Sequence, residues 1–276
     1  MLKYIFGFLK KKEDNLTFWE HINQLRIYLI RSALAIIGFA VVAFFFKDFI
    51  FNTVILLPSD TKFITYKALC KLGALINVEG LCFHPFSLNL INIEMGGQFR
   101  YHLLISFIAG IIISFPFIIW QLWLFIKPAL KEQELKSARG AVAYISGLFL
   151  TGILFGYYFI APLTINFLAT YELSSNIKNQ ITIGSYISTI SVLTLAMGLV
   201  FELPVFVYFL TKIRILTSSF LKKYRKHAIV IIFIAAGFIT PSTDMFSQII
   251  VAIPLLVLFE FSIFISKRVE NKREPI

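Results

Sequence analysis

Apolar residues gather into runs long enough to cross a bilayer, and the polar segments between them hold most of the charge. A helix rises 1.5 Å per residue, so about 20 apolar residues cross a hydrocarbon core of roughly 30 Å. Six runs stand out: Leu29–Phe46, Leu103–Phe125, Ala141–Ala161, Ile187–Leu210, Ile229–Thr240 and Phe246–Ile265. Lipid offers the backbone no hydrogen-bond partners, and the runs lack the short alternation of barrel strands, so all six are predicted helices. The expected fold is all-α: one polytopic membrane domain over 1–276, with six transmembrane helices. Pro116, Pro162, Pro204 and Pro254 interrupt these runs and Pro241 falls between the last two, which predicts a curved bundle. The fifth run is short. From His227 to Thr240 it gives about 21 Å of helix, which predicts local bilayer thinning or tight packing.

Composition agrees, with 58% hydrophobic residues, 31 phenylalanines and only 15% charged residues. The charge is unevenly placed. Of 26 Lys and Arg, 20 fall in the N-terminal segment, the second and fourth connections and the C-terminal segment, and 6 fall on the other side. By the positive-inside rule both termini are cytoplasmic. The net charge of +11 then reports topology and attraction to anionic lipid heads, and calls for no nucleic-acid partner.

The start "MLKYIFGFLKKK" is too short and mixed for a secretory signal and reads as an interfacial or frayed segment. In "TFWE", Thr17 and Glu20 have capping-box spacing, so a helix is expected to begin there and run into the first span. The segment 47–100 is too long for a simple connector and is expected to form a partly helical outer cap. Cys70 and Cys82 both lie in it, as a disulfide or as two buried thiols. The four histidines are scattered without metal-ligand spacing, so neither metal nor cofactor is expected.

Intramembrane polar residues are costly, about 3 kcal/mol for a charge at a helix centre, and so need a reason. In "LAMGLVFELPVFVYFL", Glu202 stands ten residues before Lys212, too deep for easy escape to the surface. Gln121 and Gln248 suit interhelical hydrogen bonds, and Glu260 has a route toward Lys267 at the inner surface. "FIKPALKEQELK" places Glu132 and Glu134 among lysines in a wet loop. No nucleophile and base, phosphate loop or carboxylate pair accompanies them, so no enzyme is expected.

The chain resembles one family, TatC, the membrane receptor subunit of the twin-arginine protein translocase. The resemblance rests on "HINQLRIYLIRS" at the first span, "FPFIIWQLWLFIKPAL" at the second, "FELP" in the fourth and "FITPSTDMFSQIIVAIPLLVLFE" in the last hairpin. It implies a bacterial inner-membrane protein that binds twin-arginine signal peptides of folded cargo and self-associates in a receptor complex. It also implies recruitment of single-span subunits of the TatA and TatB type, driven by the proton-motive force. Glu134 matches the family's arginine-recognising glutamate and Phe125 a residue of the same groove, and Arg26 lies in the first-span motif. Two guanidiniums call for carboxylates in a cytoplasm-facing groove, where forked, charge-assisted bonds select Arg over Lys. Gln24 stands where the family usually has a glutamate, so Glu20 or Glu132 is expected to supply further negative charge beside Glu134.

Glu202 matches the family's intramembrane glutamate, which implies contact with a partner's transmembrane helix, and Gln248 with Thr240 matches a polar patch on the last two spans. Asp244 matches an acidic position, although Pro241 and Asp244 equally suit a tight turn and helix cap. Pro116 and Gln121 match positions that shape the concave face or touch ligand. The rival reading is a proton-coupled secondary transporter of a small solute using Glu202. The two halves share no internal repeat of the kind such carriers often show.

Overall fold

The computed structural model describes residues 18–60, 63–76, 90–129, 140–172, 174, 179–240 and 245–271. Its α-helices, in chain order, are α1 (Phe18–Phe45), α2 (Ile64–Ile76), α3 (Gly97–Ile126), α4 (Ala141–Phe155), α5 (Ala161–Thr170), α6 (Ile183–Val200), α7 (Leu203–Lys212), α8 (Ser218–Lys223), α9 (Arg225–Ile239) and α10 (Met245–Asn271). The segments α4–α5 and α6–α7 each continue as one rod. Among the described residues, five rods are long and apolar enough to cross a membrane: His21–Phe45, Gly97–Ile126, Ala141–Thr170, Ile183–Lys212 and Met245–Asn271. The fifth apolar run also forms a helix, α9, but at 15 residues it covers only about 22 Å.

The rods extend past the apolar runs that announce them. The polar turns "FWEHINQLR" of α1 and "GQFRYH" of α3 are helical as well, because a helix satisfies its own backbone on either side of the hydrocarbon boundary. The chain is not purely helical: β1 (Leu90–Ile91) pairs in parallel with β2 (Ile181–Thr182) just before α6.

Successive helices pack in clear registers. Three α1–α3 contacts, His21 with Phe125, Ile36 with Gly110 and Phe44 with His102, advance on one helix by the steps they retreat on the other. Gly110 permits that approach, since a Cβ there would lie 2.7 Å from the Ile36 carbonyl oxygen. Phe115 of α3 stacks on Phe149 of α4 with centroids 3.5 Å apart. Between α4 and α6, Gly152 meets Gly198, and the residues after Gly152 place Gly156 against Thr194. The last hairpin is antiparallel, with Arg225 at Glu260 and Gly237 at Gln248. By contrast α7 and α10 run in parallel, joined by Thr211 to Ser266 at 3.0 Å and by Val207 packed with Ile263. His21, Ile126, Lys212, Arg225 and Asn271 therefore lie toward one end of the bundle, called the basic end below.

At the other end, tyrosines bind a cap to the bundle. The cap comprises a π-helical segment Phe49–Ile55, a short turn Leu57–Ser59 and α2. Tyr157 donates to the Val54 carbonyl at 2.5 Å and Tyr186 to the Ile55 carbonyl at 2.8 Å. The Tyr66 hydroxyl lies 3.1 Å from the Pro58 oxygen and 3.0 Å from the Pro162 oxygen. Pro162 has no N–H for the carbonyl of Tyr158 four residues back, and the Thr65 hydroxyl donates to that oxygen. A proline break inside the third rod thus becomes an attachment point for the cap. Cys70 on α2 is disulfide-bonded, and Cys82, the chain's other cysteine, lies outside the described residues.

Candidate functional site

The first candidate site is the seam where α1 begins and α3 ends. The His21 ring stacks on Phe125 with centroids 4.3 Å apart and planes 23° from parallel. Gln24 follows three residues after His21 and so faces the same way, half-buried, while Arg26 is exposed. Gln121 lies one helical turn before Phe125 and only 5% of it is exposed. The α1–α3 register sets it across from the Gln24–Leu25 step. Its amide oxygen is buried and has no hydrogen-bond partner among the described residues. An orphan acceptor of this kind costs roughly 1–3 kcal/mol and is usually met by water or ligand.

Glu20 stands in the first turn of α1, directly before His21. Glu132 and Glu134 lie outside the described residues. The chain that carries them leaves the seam through the turn Lys127–Ala129, just after Phe125. Pro116 sits within the unbroken α3, next to the Phe115–Phe149 stack.

The second place is the break between α6 and α7. Phe201 and Glu202 form a turn, and Pro204 follows at the start of α7, where a missing N–H is tolerated. Phe201 packs on Phe155, and Gly152 opens room beside it for this turn. The Glu202 side chain is half-buried, with carboxylate oxygen Oε1 inaccessible and unpartnered among the described residues. Extending the α7–α10 register places Glu202 level with Val257, nine residues and about 14 Å of helix from Gln248.

Gln248 and Thr240 are thus separate from Glu202, and both are already engaged. The Gln248 amide nitrogen donates to the Phe233 carbonyl at 2.7 Å, and Thr240 donates to the Ala236 carbonyl at 3.0 Å. The Gln248 bond ties α10 to α9, whereas the Thr240 bond is local, one turn back at the end of α9. Pro241 and Asp244, at its tip, lie outside the described residues. Glu260 does not turn to Lys267, as its sequence position led us to expect. Those residues are two helical turns apart on α10, about 10 Å, whereas Arg225 at the start of α9 faces Glu260 directly and donates through Nε at 2.5 Å. His21 escaped the sequence reading because its partner is a hundred residues away. No group of three or more potential metal ligands occurs among the described residues.

A family model described as Sec-independent protein translocase protein (TatC) matches residues 20–254. The chain belongs to the TatC family. It is 43% identical over 267 residues to the Sec-independent protein translocase protein TatC of Blattabacterium sp. subsp. Periplaneta americana, covering 96% of this chain and 100% of the relative. It is 31% identical over 265 residues to TatCy of Bacillus subtilis, covering 96% and 94%. The crystal structure of a twin-arginine translocase receptor TatC superposes with a TM-score of 0.71 at 30% identity, covering 91% of this chain and all of that one. This is a membrane-embedded protein of the Sec-independent translocase, and the seam and the Glu202 break are features of a TatC chain.

Proposed function

We propose that this chain is the receptor of a twin-arginine translocase. It sits in a bacterial inner membrane with six spans, α9 being the short fifth, and with both termini cytoplasmic. The basic end is then the cytoplasmic face, as the excess of Lys and Arg there requires. The α1–α3 seam forms one wall of the signal-peptide groove. Glu134 supplies the leading carboxylate for the paired arginines, and Glu20 or Glu132 supplies more negative charge where Gln24 has only an amide. The carrying observation is the orphan Gln121 oxygen beside the His21–Phe125 stack, at the root of the loop that holds Glu134. An unpaired acceptor and a flat apolar wall suit a donor-rich, partly apolar peptide.

Glu202 serves a different contact. Its unpartnered carboxylate oxygen, at a helix break within the apolar interior, is offered to a polar group on the transmembrane helix of a single-span subunit. Such a bond directs where a helix docks even when its net energy is modest. The receptor reading is tested by measuring binding of an Arg-Arg signal peptide to the purified full chain and to Glu134→Ala, Glu132→Ala and Glu20→Ala variants. Reduced affinity, greatest for Glu134→Ala, is expected; unchanged affinity in all three refutes it.

A further inference from the structure

The α7–α9 connection carries a concentration of positive charge that the receptor reading leaves unused. From Leu203 to Thr243 the sequence has no Asp or Glu, yet it includes Lys212, Arg214, Lys222, Lys223, Arg225 and Lys226. Arg225 is taken by Glu260. Glu270, the other acid in reach, accepts from the Ser218 backbone N–H at 2.8 Å and from the Ser218 hydroxyl. Lys222, Lys223 and Lys226 are exposed and share no ion pair among the described residues.

The element is held firmly rather than hanging as a loop. Leu221 is buried with Val207 and Ile263, and Thr217 caps α8 by accepting from the Phe220 N–H at 3.1 Å. Between the cations, Ile213, Ile215 and Phe220 remain 56%, 67% and 48% exposed. Cations interleaved with exposed apolar side chains mark a surface that lies at the boundary between headgroups and hydrocarbon.

Depth singles out one ligand. The α9–α10 register puts the start of α9 level with Glu260, eleven residues and about 16 Å of helix short of the end of α10. Directly beyond the cations, α9 shows Val230, Ile231 and Ile234, each more than half exposed. A phosphate group at Lys222, Lys223 and Lys226 would therefore have an apolar wall running away from it along the shortest membrane helix.

We propose that Lys222, Lys223 and Lys226 bind the headgroup of an anionic phospholipid whose acyl chains lie on the exposed face of α9. An acidic protein would meet the cations but leave the apolar wall unused. The site draws inner-leaflet headgroups down to the basic end of α9, so that a helix too short for the bilayer is met by lipid. The inference rests on the placement and orientation of α9 proposed above, and not on signal-peptide binding.

Purified full-length chain, stripped of lipid in detergent, is titrated with phosphatidylglycerol or phosphatidylcholine of the same acyl chains, and bound lipid is counted by native mass spectrometry. Phosphatidylglycerol is expected to bind at least tenfold more tightly. The triple variant Lys222→Gln, Lys223→Gln, Lys226→Gln should lose that preference, the Lys→Arg triple should keep it, and Ile231→Ser with Ile234→Ser should weaken both lipids. Equal binding of the two lipids, or a preference surviving in the Gln triple, overturns the proposal. So does full displacement by millimolar inorganic phosphate or by polyglutamate, which would point to a free anion or an acidic protein. Arg-Arg peptide binding is measured on the same triple variant, so failure of the lipid site is read separately from failure of the receptor.

Discussion

His21 and Phe125 stack ring on ring, 4.3 Å between centroids, and so fasten the first turns of α1 to the last turn of α3. An aromatic pair of this geometry is worth about 0.5–1.5 kcal/mol beyond its buried area. A double-mutant cycle on His21→Ala and Phe125→Ala, followed by denaturation in detergent, should give a coupling energy in that range. Arg-Arg peptide affinity should fall in either single variant, because the pair holds the last turn of α3, a few residues before Glu134 in the chain.

Glu202→Leu separates folding from assembly. Replacing a half-buried carboxylate that has one unpartnered oxygen should leave detergent stability within about 1 kcal/mol of the wild type. Peptide binding should persist, while co-purification of single-span subunits drops. Normal export by cells carrying this variant would count against the assigned role.

The α4–α6 contact can be tested at two glycines of one helix. A Cβ on Gly152 would lie 2.6 Å from the Met197 carbonyl oxygen and 2.9 Å from the Gly198 Cα, both fixed backbone atoms. Gly152→Ala should therefore force the helices apart and cost about 1–3 kcal/mol. Gly147 in the same helix has open space where the methyl would go, so Gly147→Ala should instead stabilise by roughly 0.5–1 kcal/mol through helix propensity. Thermal unfolding of the two variants should shift in opposite directions.

The cap gives a prediction in pH. Burial pushes the Tyr66 phenol above its ordinary value of 10.0. A raised folded value means the neutral phenol's contribution is complete below pH 10 and shrinks as pH rises beyond it, since the opened cap lets the phenol ionise first. The opening of α2, read as hydrogen exchange divided by the base-catalysed intrinsic rate, should become more frequent above about pH 10 in the wild type. Tyr66→Phe, which loses the bonds to Pro58 and Pro162, should exchange faster at neutral pH by about 1 kcal/mol of opening energy and show a smaller rise than the wild type.

How much of this was legible in the sequence depends on the range of the interaction. Apolar runs located five spanning rods and the short α9, because span length is set by the hydrocarbon and not by neighbours. The break at Phe201–Glu202 was foreshadowed by Pro204. The Thr65 bond to the Tyr158 carbonyl and the tyrosine attachment of the cap were not, since they join segments about a hundred residues apart. The same holds for the site. Gln121 was visible as a polar residue in an apolar run, but its orphan oxygen and its seat beside the His21–Phe125 stack follow from the α1–α3 register. Glu260 was given a route toward the inner surface near Lys267 because only its own helix was in view, and Arg225 arrives from another.

The most direct measurement of the receptor claim is photocrosslinking from position 125. A photoreactive amino acid replaces Phe125 in the full chain, with a control at Ile113, an exposed residue of the same helix. Labelled signal peptide is offered with an Arg-Arg or a Lys-Lys pair. The account predicts an adduct from position 125 with the Arg-Arg peptide, little with Lys-Lys, none from position 113, and loss of the adduct on Glu134→Ala. Equal adducts with both peptides, or none from position 125 in a protein that folds normally, would contradict it.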